Sequence, residues 1–318
     1  MLETTVTVAK SSKNPEGGGR EVMADLRGRR IIVTGASAGI GFACSEILAT
    51  RGAHVIMACR DTEKARHKIE TSSLPKENVS IAPLDLCDRK SIELFAKSVA
   101  DGEHGEVQVL INNAGVLETK HSVKDGIEKT LLTNHIGPSY LTQLLISTVF
   151  EHQKQQDVRI VNVGSRLEKN GNLDYSEGFL QLIKNGVQDD GKLFDGWTQY
   201  SNSKNMNLLW TNALQRRHKS FIFQTVTPGM VNTDLSRSYS SWFLMLTLPL
   251  RSLLLRSPTQ GAESVVHCAV GACDGGGGFR GDKGIVLKHS CENRPDLEDL
   301  AFCRTLELIE YWQRRISL

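Results

Sequence analysis

The sequence lacks the long apolar runs and the paired cysteines that mark several protein classes. Its most apolar stretch, WFLMLTLPLRSLLL, covers 14 residues from Trp242 to Leu255, and Pro249 and Arg251 interrupt it. A bilayer-spanning helix needs about 20 apolar residues, so no transmembrane segment is expected. The seven cysteines form no CxxC pair. Their odd number and scatter favour a cytoplasmic or other reducing compartment and disfavour a zinc site.

An excess of charge of one sign is also missing. The 38 basic and 36 acidic residues leave a net charge of +2, which gives no basic footprint for nucleic acid. Residues 1–25 are polar, carry NPEGGGR and have no apolar core of a signal peptide, so they are predicted to form a flexible tail. The length suits one large α/β domain, expected over 26–318.

Short apolar strands alternate with helical segments along this domain. Six strands are predicted at 30–34, 54–60, 79–86, 107–115, 158–165 and 220–229, with a seventh at 284–288. This alternation predicts a single doubly wound, mainly parallel, seven-stranded sheet of Rossmann type with helices on both faces. Such sheets bind ligands at the carboxyl ends of their strands, where the motifs below fall.

A glycine-rich turn, TGASAGIG, follows the first strand and opens a helix near Gly39. Gly35 permits the tight turn, Gly39 lets the chain approach a pyrophosphate, and Gly41 lets the helix pack close to the sheet. Ser37 is expected to cap the helix. A plain turn between strand and helix is the alternative, but three glycines in this frame favour dinucleotide binding.

The end of the second strand indicates which dinucleotide is bound. Arg60 lies there, 25 residues after Gly35. An acidic residue at this point would bind the ribose hydroxyls of NAD, whereas an Arg pairs with the 2′-phosphate of NADP. Asp61 is predicted to start the next helix as its N-cap. NADP(H) is therefore favoured over NAD(H), unless Arg60 is a surface residue without a role.

Four polar residues are candidates for catalysis. Tyr200 and Lys204 lie four apart in a predicted helix and so share one face, where an ammonium can lower the pKa of a phenol. Ser165 ends the fifth strand, and Asn134 lies in a predicted helix. Each signal alone is weak, because chance and amphipathicity also produce it.

Together, the motifs resemble those of the short-chain dehydrogenase/reductase family over Arg27 to Pro295. They are TGASAGIG at 34–41, NNAG at 112–115, Asn134, Ser165, Tyr200 with Lys204, and Pro228-Gly229 with Thr233. MACRDTEKA, LINNAGV and TNHIGPSYLT look like the retinol dehydrogenase and WW-domain oxidoreductase branch. Pro138, Gly164 before Ser165, and a long polar segment within an insert at 166–197 depart from that branch and leave the substrate open.

The resemblance implies a role for each candidate. Tyr200 would exchange a proton with the substrate oxygen, Ser165 would hydrogen-bond that oxygen, Lys204 would hold the nicotinamide ribose and lower the pKa of the tyrosine, and Asn134 would support a water. The cofactor-binding set is Gly35, Ser37, Ala38, Gly39, Ile40, Gly41, Arg60, Asp85, Leu86, Asn113, Ala114, Gly115, Tyr200, Lys204, Pro228, Gly229, Val231 and Thr233.

The function expected is an NADP(H)-dependent oxidoreductase that interconverts a carbonyl and an alcohol on an apolar substrate. A catalytically silent dinucleotide-binding sensor with the same fold is the alternative, and an epimerase or dehydratase fits less well. The apolar run lies in a segment at 234–257 that is predicted to cover a small apolar ligand. Contact of this run with a membrane surface and formation of a homodimer are both left open.

Overall fold

The computed structural model describes residues 25–153, 157–175, 195–231, 255–272 and 275–315. Except for Asp25, the predicted N-terminal tail lies outside these ranges. Most of the segments expected at 166–197 and 234–257 lie outside them too. Thr233 and the apolar run before Leu255 lie outside them as well.

One sheet of eight strands forms the centre of the described chain. Its strands are β1 (Arg30–Thr34), β2 (His54–Cys59), β3 (Val79–Pro83), β4 (Val109–Asn112), β7 (Arg159–Val163), β8 (Ile222–Val226), β9 (Phe279–Arg280) and β10 (Val286–Leu287), in the spatial order β10-β9-β8-β7-β4-β1-β2-β3. A separate hairpin pairs β5 (Val123–Lys124) with β6 (Ile127–Glu128). All pairs in the large sheet are parallel except β9 with β10.

The expected doubly wound sheet is confirmed, with one strand more than the seven predicted. Among the strands of the large sheet, the seventh in chain order is the short β9, which extends the parallel sheet beyond β8. The segment predicted as the seventh strand, 284–288, contains β10, the antiparallel edge strand. A strand of two residues is too short to show the alternation by which strands are recognised in a sequence.

Helices cover both faces of the sheet. They are α1 (Gly39–Thr50), α2 (Thr62–Glu70), α3 (Arg89–Ala100), α4 (Lys129–Leu131), α5 (Gly137–Thr148), α6 (Gly196–Arg217), α7 (Pro258–Val270) and α8 (Pro295–Arg315), and a π-helical segment, Leu132–Ile136, joins α4 to α5. Among the described helices, none combines the length and the hydropathy that crossing a membrane requires.

The core consists of two apolar layers, one on each side of the sheet. Because side chains alternate along a strand, Ile31 and Val33 of β1 pack in the layer with α1 and α7, whereas Ile32 packs in the layer with α3, α5, α6 and α8. Trp312 of α8 is fully buried in the second layer. The C-terminal helix α8 is therefore docked on the core.

Candidate active site

A cavity of about 1120 Å³ runs along the carboxyl ends of the parallel strands. It is lined by the loop after β1, by the ends of β2 and β4, and by the beginning of α6. All described members of the predicted site line it except Gly41 and Asn134. The parallel strands explain this convergence, because their carboxyl ends all lie at one edge of the sheet.

The glycine loop has the shape that a bound dinucleotide requires. Gly35 and Gly39 have φ angles of +65° and +55°, a region that favours glycine. A Cβ atom on Gly35 would lie 2.8 Å from the Cα of Ala114, and one on Gly41 would lie 2.4 Å from Nδ2 of Asn113. The loop can therefore pass close to the end of β4 only because these residues lack side chains.

The N-terminus of α1 opens into the cavity without a capping side chain. The helix begins at Gly39 with Ala38 as its N-cap, and no side chain accepts a hydrogen bond from its first amides. The expectation that Ser37 caps the helix is therefore wrong. The uncapped amides and the positive end of the helix dipole suit a phosphate, so the residues present fit a dinucleotide at this point.

Asn113 and Thr34 hold this loop in place. Nδ2 of Asn113 donates to the carbonyl of Thr34 at 2.8 Å, and the hydroxyl of Thr34 accepts from the backbone amides of Asn113 and Ala114, each at 3.0 Å. The motif that was expected to contact the cofactor thus also joins β1 to β4. Thr34 was not predicted as a site residue, although its position just before Gly35 is the available sequence signal.

Arg60 and Asp61, at the end of β2, differ in what their side chains contact. Both line the cavity, but the carboxylate of Asp61 accepts from the backbone amide of Lys64 at 2.9 Å as the N-cap of α2. The predicted capping role of Asp61 is confirmed. The side chain of Arg60 is exposed and forms no ion pair with any described residue, which leaves its charge available to a ligand.

At the other end of the cavity, Tyr200 and Lys204 lie buried on α6. Burial raises the pKa of Tyr200 to about 12, against which its hydrogen bond with Ser165 acts. Burial also lowers the pKa of Lys204 to about 8, and its ammonium donates to the carbonyl of Val163 at 2.7 Å. Desolvation dominates the pKa of both groups in the protein alone, and the expectation that Lys204 lowers the pKa of Tyr200 stays a prediction.

Asn134 lies behind the cavity wall, in the π-helical segment. Its side chain accepts from the amide of Val116 at 2.7 Å and donates to the carbonyl of Val116 at 2.9 Å and to Ser203 at 3.1 Å. Its own carbonyl accepts from Asn207 at 2.9 Å. Wide helical turns of this kind occur often at functional sites. The sequence predicted the residue in a helix, and nothing in it signalled the π turn.

The residues after β8 close the cavity beside Lys204. Pro228, Gly229 and Val231 line it, and Arg256 donates to the carbonyl of Pro228 at 3.4 Å while forming an ion pair with Asp282. The backbones of Val231 and Arg256 also pair in an isolated parallel β-bridge. This tie fixes the loop that was expected to contact the nicotinamide, and neither Arg256 nor Asp282 was predicted.

The end of the cavity that holds Tyr200 also carries exposed apolar side chains. Trp197 is 48% exposed and Met230 is 68% exposed, and both line the cavity together with Leu167 and Leu255. Trp210, by contrast, is buried and stacks on Phe302, with ring centroids 4.8 Å apart. Trp210 therefore packs in the core, and Trp197 does not.

Comparison with known proteins decides the family. A family model described as short chain dehydrogenase matches residues 29–176. Retinol dehydrogenase 11 of Homo sapiens is 37% identical over 254 residues, which cover 77% of this chain and 74% of that protein. The chain belongs to the short-chain dehydrogenase family. It is therefore an oxidoreductase of the alcohol dehydrogenase and carbonyl reductase type, and the family implies a NAD(P) cofactor.

Other members of the short-chain dehydrogenase family refine this placement. The WW domain-containing oxidoreductase of Gallus gallus is 30% identical over 280 residues, covering 86% of this chain and 64% of that protein. These relatives place the chain in the retinol dehydrogenase-like branch. A solved structure of an uncharacterized protein from Mycobacterium paratuberculosis superposes with a TM-score of 0.69 at 26% identity, over 90% of this chain and 95% of that one.

Proposed function

We propose that this short-chain dehydrogenase uses NADP(H) to interconvert a carbonyl and an alcohol on an apolar substrate, with Tyr200 as the general acid and base. The observation that carries the proposal is that one cavity is lined by the glycine loop and by Ser165, Tyr200 and Lys204. When bound, the cofactor supplies or accepts the hydride. The protein then has to bind it, orient the substrate and move one proton.

Tyr200 and Ser165 are the groups that would face the reacting oxygen. The raised pKa of Tyr200 keeps its phenol protonated at neutral pH, as proton donation to a carbonyl oxygen requires. Ser165 hydrogen-bonds the phenol and would help to position the same oxygen. In the direction of alcohol oxidation, Tyr200 has to be in its phenolate form to accept the proton, and a nearby positive charge would stabilise that form.

Lys204 and Asn134 would act from behind Tyr200. Lys204 is 3% exposed and lies with its ammonium 5.5 Å from the centre of the Tyr200 ring. In this position it can hydrogen-bond the nicotinamide ribose and stabilise negative charge on the phenol. Asn134 holds the backbone of Val116 beside Gly115, so we assign it the positioning of this wall of the site.

The cofactor preference rests on Arg60. Its guanidinium lies at the end of β2 on the cavity, while the carboxylate of Asp61, the acid nearest in sequence, is engaged at the start of α2. This position of Arg60 on the cavity supports a positive charge near the adenosine ribose of a bound dinucleotide. A guanidinium recognises the 2′-phosphate of NADP through charge-assisted hydrogen bonds.

The apolar substrate is supported by Trp197, Met230 and Leu255, which line the cavity on the side of Tyr200. The names of the relatives agree with this chemistry, since retinol is an apolar alcohol. A substrate panel of retinoids, steroids, aliphatic aldehydes and quinones, each with NADPH and NADH, tests the proposal by oxidation of the cofactor. NADPH-dependent turnover of at least one apolar carbonyl is expected. Tight NADPH binding without turnover of any compound would instead favour the silent sensor.

A further inference from the structure

A second, smaller cavity of about 210 Å³ lies beside the substrate end of the site. Phe279, Leu287 and Glu168 line it together with three cationic residues, Arg166, Lys169 and Lys288. Arg166 and Lys169 also line the large cavity, so the two spaces share one wall. This wall begins at the residue directly after Ser165.

Local structure explains why two of these cations point the same way. Residues Arg166–Asn170 form a 3₁₀ helix, in which side chains three apart stand above one another. Arg166 and Lys169 are three apart and exposed. Glu168 lies on another face, is 3% exposed, and anchors the helix by accepting hydrogen bonds from the hydroxyl and the amide of Ser290.

The same anchor brings the third cation to this wall. Ser290 lies two residues after Lys288, which follows β10, and Asn205 of α6 also donates to the Glu168 carboxylate, at 3.5 Å. Three distant parts of the chain therefore meet at one buried carboxylate. That carboxylate offsets only one of the three positive charges of Arg166, Lys169 and Lys288, so the wall keeps a net positive charge.

The three cations have no acidic partner in the parts of the chain that the structure describes. None of them forms an ion pair or a hydrogen bond there, whereas Arg256, the other guanidinium at this end of the large cavity, is paired with Asp282. Positive charge therefore accumulates beside Trp197 and Leu167. A substrate that carries an anion could place it at this wall while its apolar part contacts those side chains.

The cluster is separate from the subsite that Arg60 provides for a 2′-phosphate. Arg166 follows β7 and Arg60 follows β2, and β4 and β1 lie between these strands in the sheet. Three strand spacings correspond to about 14 Å. The phosphate of the cofactor and an anion beside Arg166 would thus occupy opposite ends of the cavity.

We propose that the substrate of this site is an amphipathic carbonyl or alcohol whose carboxylate or phosphate is bound by Arg166, Lys169 and Lys288. The inference rests on the proposed function and narrows its apolar substrate to one with an anionic group. Electrostatic binding of this kind acts mainly on substrate affinity and weakens as salt screens exposed charges.

A binding experiment tests this inference without depending on turnover. Isothermal titration calorimetry of the NADPH-loaded protein with decanoate, decyl phosphate and decanol compares two anionic headgroups with a neutral one on the same chain. At least one anion is expected to bind about tenfold more tightly than decanol, as two or three partly exposed charge contacts would produce. The tighter of the two anions identifies the headgroup. Equal affinities for all three compounds would overturn the proposal.

A combined variant assigns the effect to these residues. The triple variant Arg166→Gln/Lys169→Gln/Lys288→Gln should bind decanol as the native protein does. It should lose the preference for the anion. Lys219→Gln, an exposed lysine before β8 at the opposite edge of the sheet, is the matched control and should keep the preference. A preference that survives in the triple variant would contradict the assignment.

Turnover supplies the second readout. With NADPH, the native protein should reduce ω-oxodecanoate with a KM about tenfold below that for its methyl ester, and the triple variant should raise only the first KM. Equal KM values for the acid and the ester would count against the anion site. Failure to reduce the ester, the acid and every compound of the panel would instead overturn the proposed function, and the binding comparison would still stand.

Discussion

At the scale of single residues, Tyr200 and Lys204 lie one helical turn apart, and burial moves their pKa values in opposite directions. The pKa of Tyr200 rises to about 12 and that of Lys204 falls to about 8. Both shifts favour the neutral side chain, as expected where water is excluded. The spacing of the pair could be predicted from the sequence, but the effect of burial could not, because it depends on the packing of α6.

The first prediction follows from the pKa of Lys204. Below about pH 8 its ammonium is protonated and can bind the nicotinamide ribose, and above this value the charge is lost. For carbonyl reduction, kcat/KM for NADPH should be level below pH 8 and fall about tenfold per unit above it, since this ratio reports the free enzyme. A pH profile of initial rates measures this. A ratio that stays constant up to pH 10 would contradict the assignment of the charge to Lys204.

Arg60 gives the second prediction at this scale. Arg60→Asp should raise the dissociation constant of NADPH by about tenfold or more and leave that of NADH within about threefold, because only NADPH loses a charged hydrogen bond. Fluorescence titration with both cofactors measures the two constants. Arg66→Asp is the matched control, since Arg66 pairs with Glu63 on the surface of α2. Equal affinity of the native protein for NADH and NADPH would contradict the role of Arg60.

At the scale of elements, the π-helical segment Leu132–Ile136 is held between two helices. Nδ1 of His135 pairs with Asn207 of α6 at 2.8 Å, and Nε2 pairs with Thr305 of α8 at 2.9 Å. His135 is fully buried with both ring nitrogens engaged, which supports a structural role. It joins the segment that carries Asn134 to the helix that carries Tyr200.

The third prediction concerns the pH dependence of this junction. Burial lowers the pKa of His135 to about 4 from an ordinary 6.5, so the folded protein binds its proton less readily than the unfolded chain. Its contribution to stability is then complete above pH 6.5 and is lost as pH falls towards 4, by about 3 kcal/mol. Urea unfolding of the native protein and of His135→Gln at several pH values isolates the contribution of His135 to the free energy of unfolding. An identical pH dependence in both proteins would contradict it.

Elements were predictable where a local rule governs them. Asp61 caps α2 as expected, because its side-chain oxygen accepts from an amide of the first turn that has no partner within the helix. Ser37 does not cap α1, since the loop between Gly35 and Gly39 places Ala38 at the start of the helix. The π turn at Asn134 and the two-residue strand β9 depend on tertiary pairing, and no local pattern marks either.

At the scale of the whole molecule, the parallel sheet brings motifs that are far apart in the sequence together at one cavity. The sequence was enough to place the glycine loop, Arg60, Ser165 and Tyr200 at this edge, because each follows a predicted strand or begins a helix. The cluster of Arg166, Lys169 and Lys288 could not be predicted in this way. Arg166 and Lys288 are far apart in sequence and meet only because Glu168 binds Ser290.

The central claim is that Tyr200 exchanges the proton of a reaction that depends on NADPH. The most direct measurement is the rate of NADPH oxidation with the best carbonyl substrate for native protein and for Tyr200→Phe, with NADPH binding measured in parallel. The variant should bind NADPH as the native protein does and lose turnover by about 10²- to 10⁴-fold, the usual contribution of a general acid. Equal turnover by Tyr200→Phe and the native protein would contradict the account.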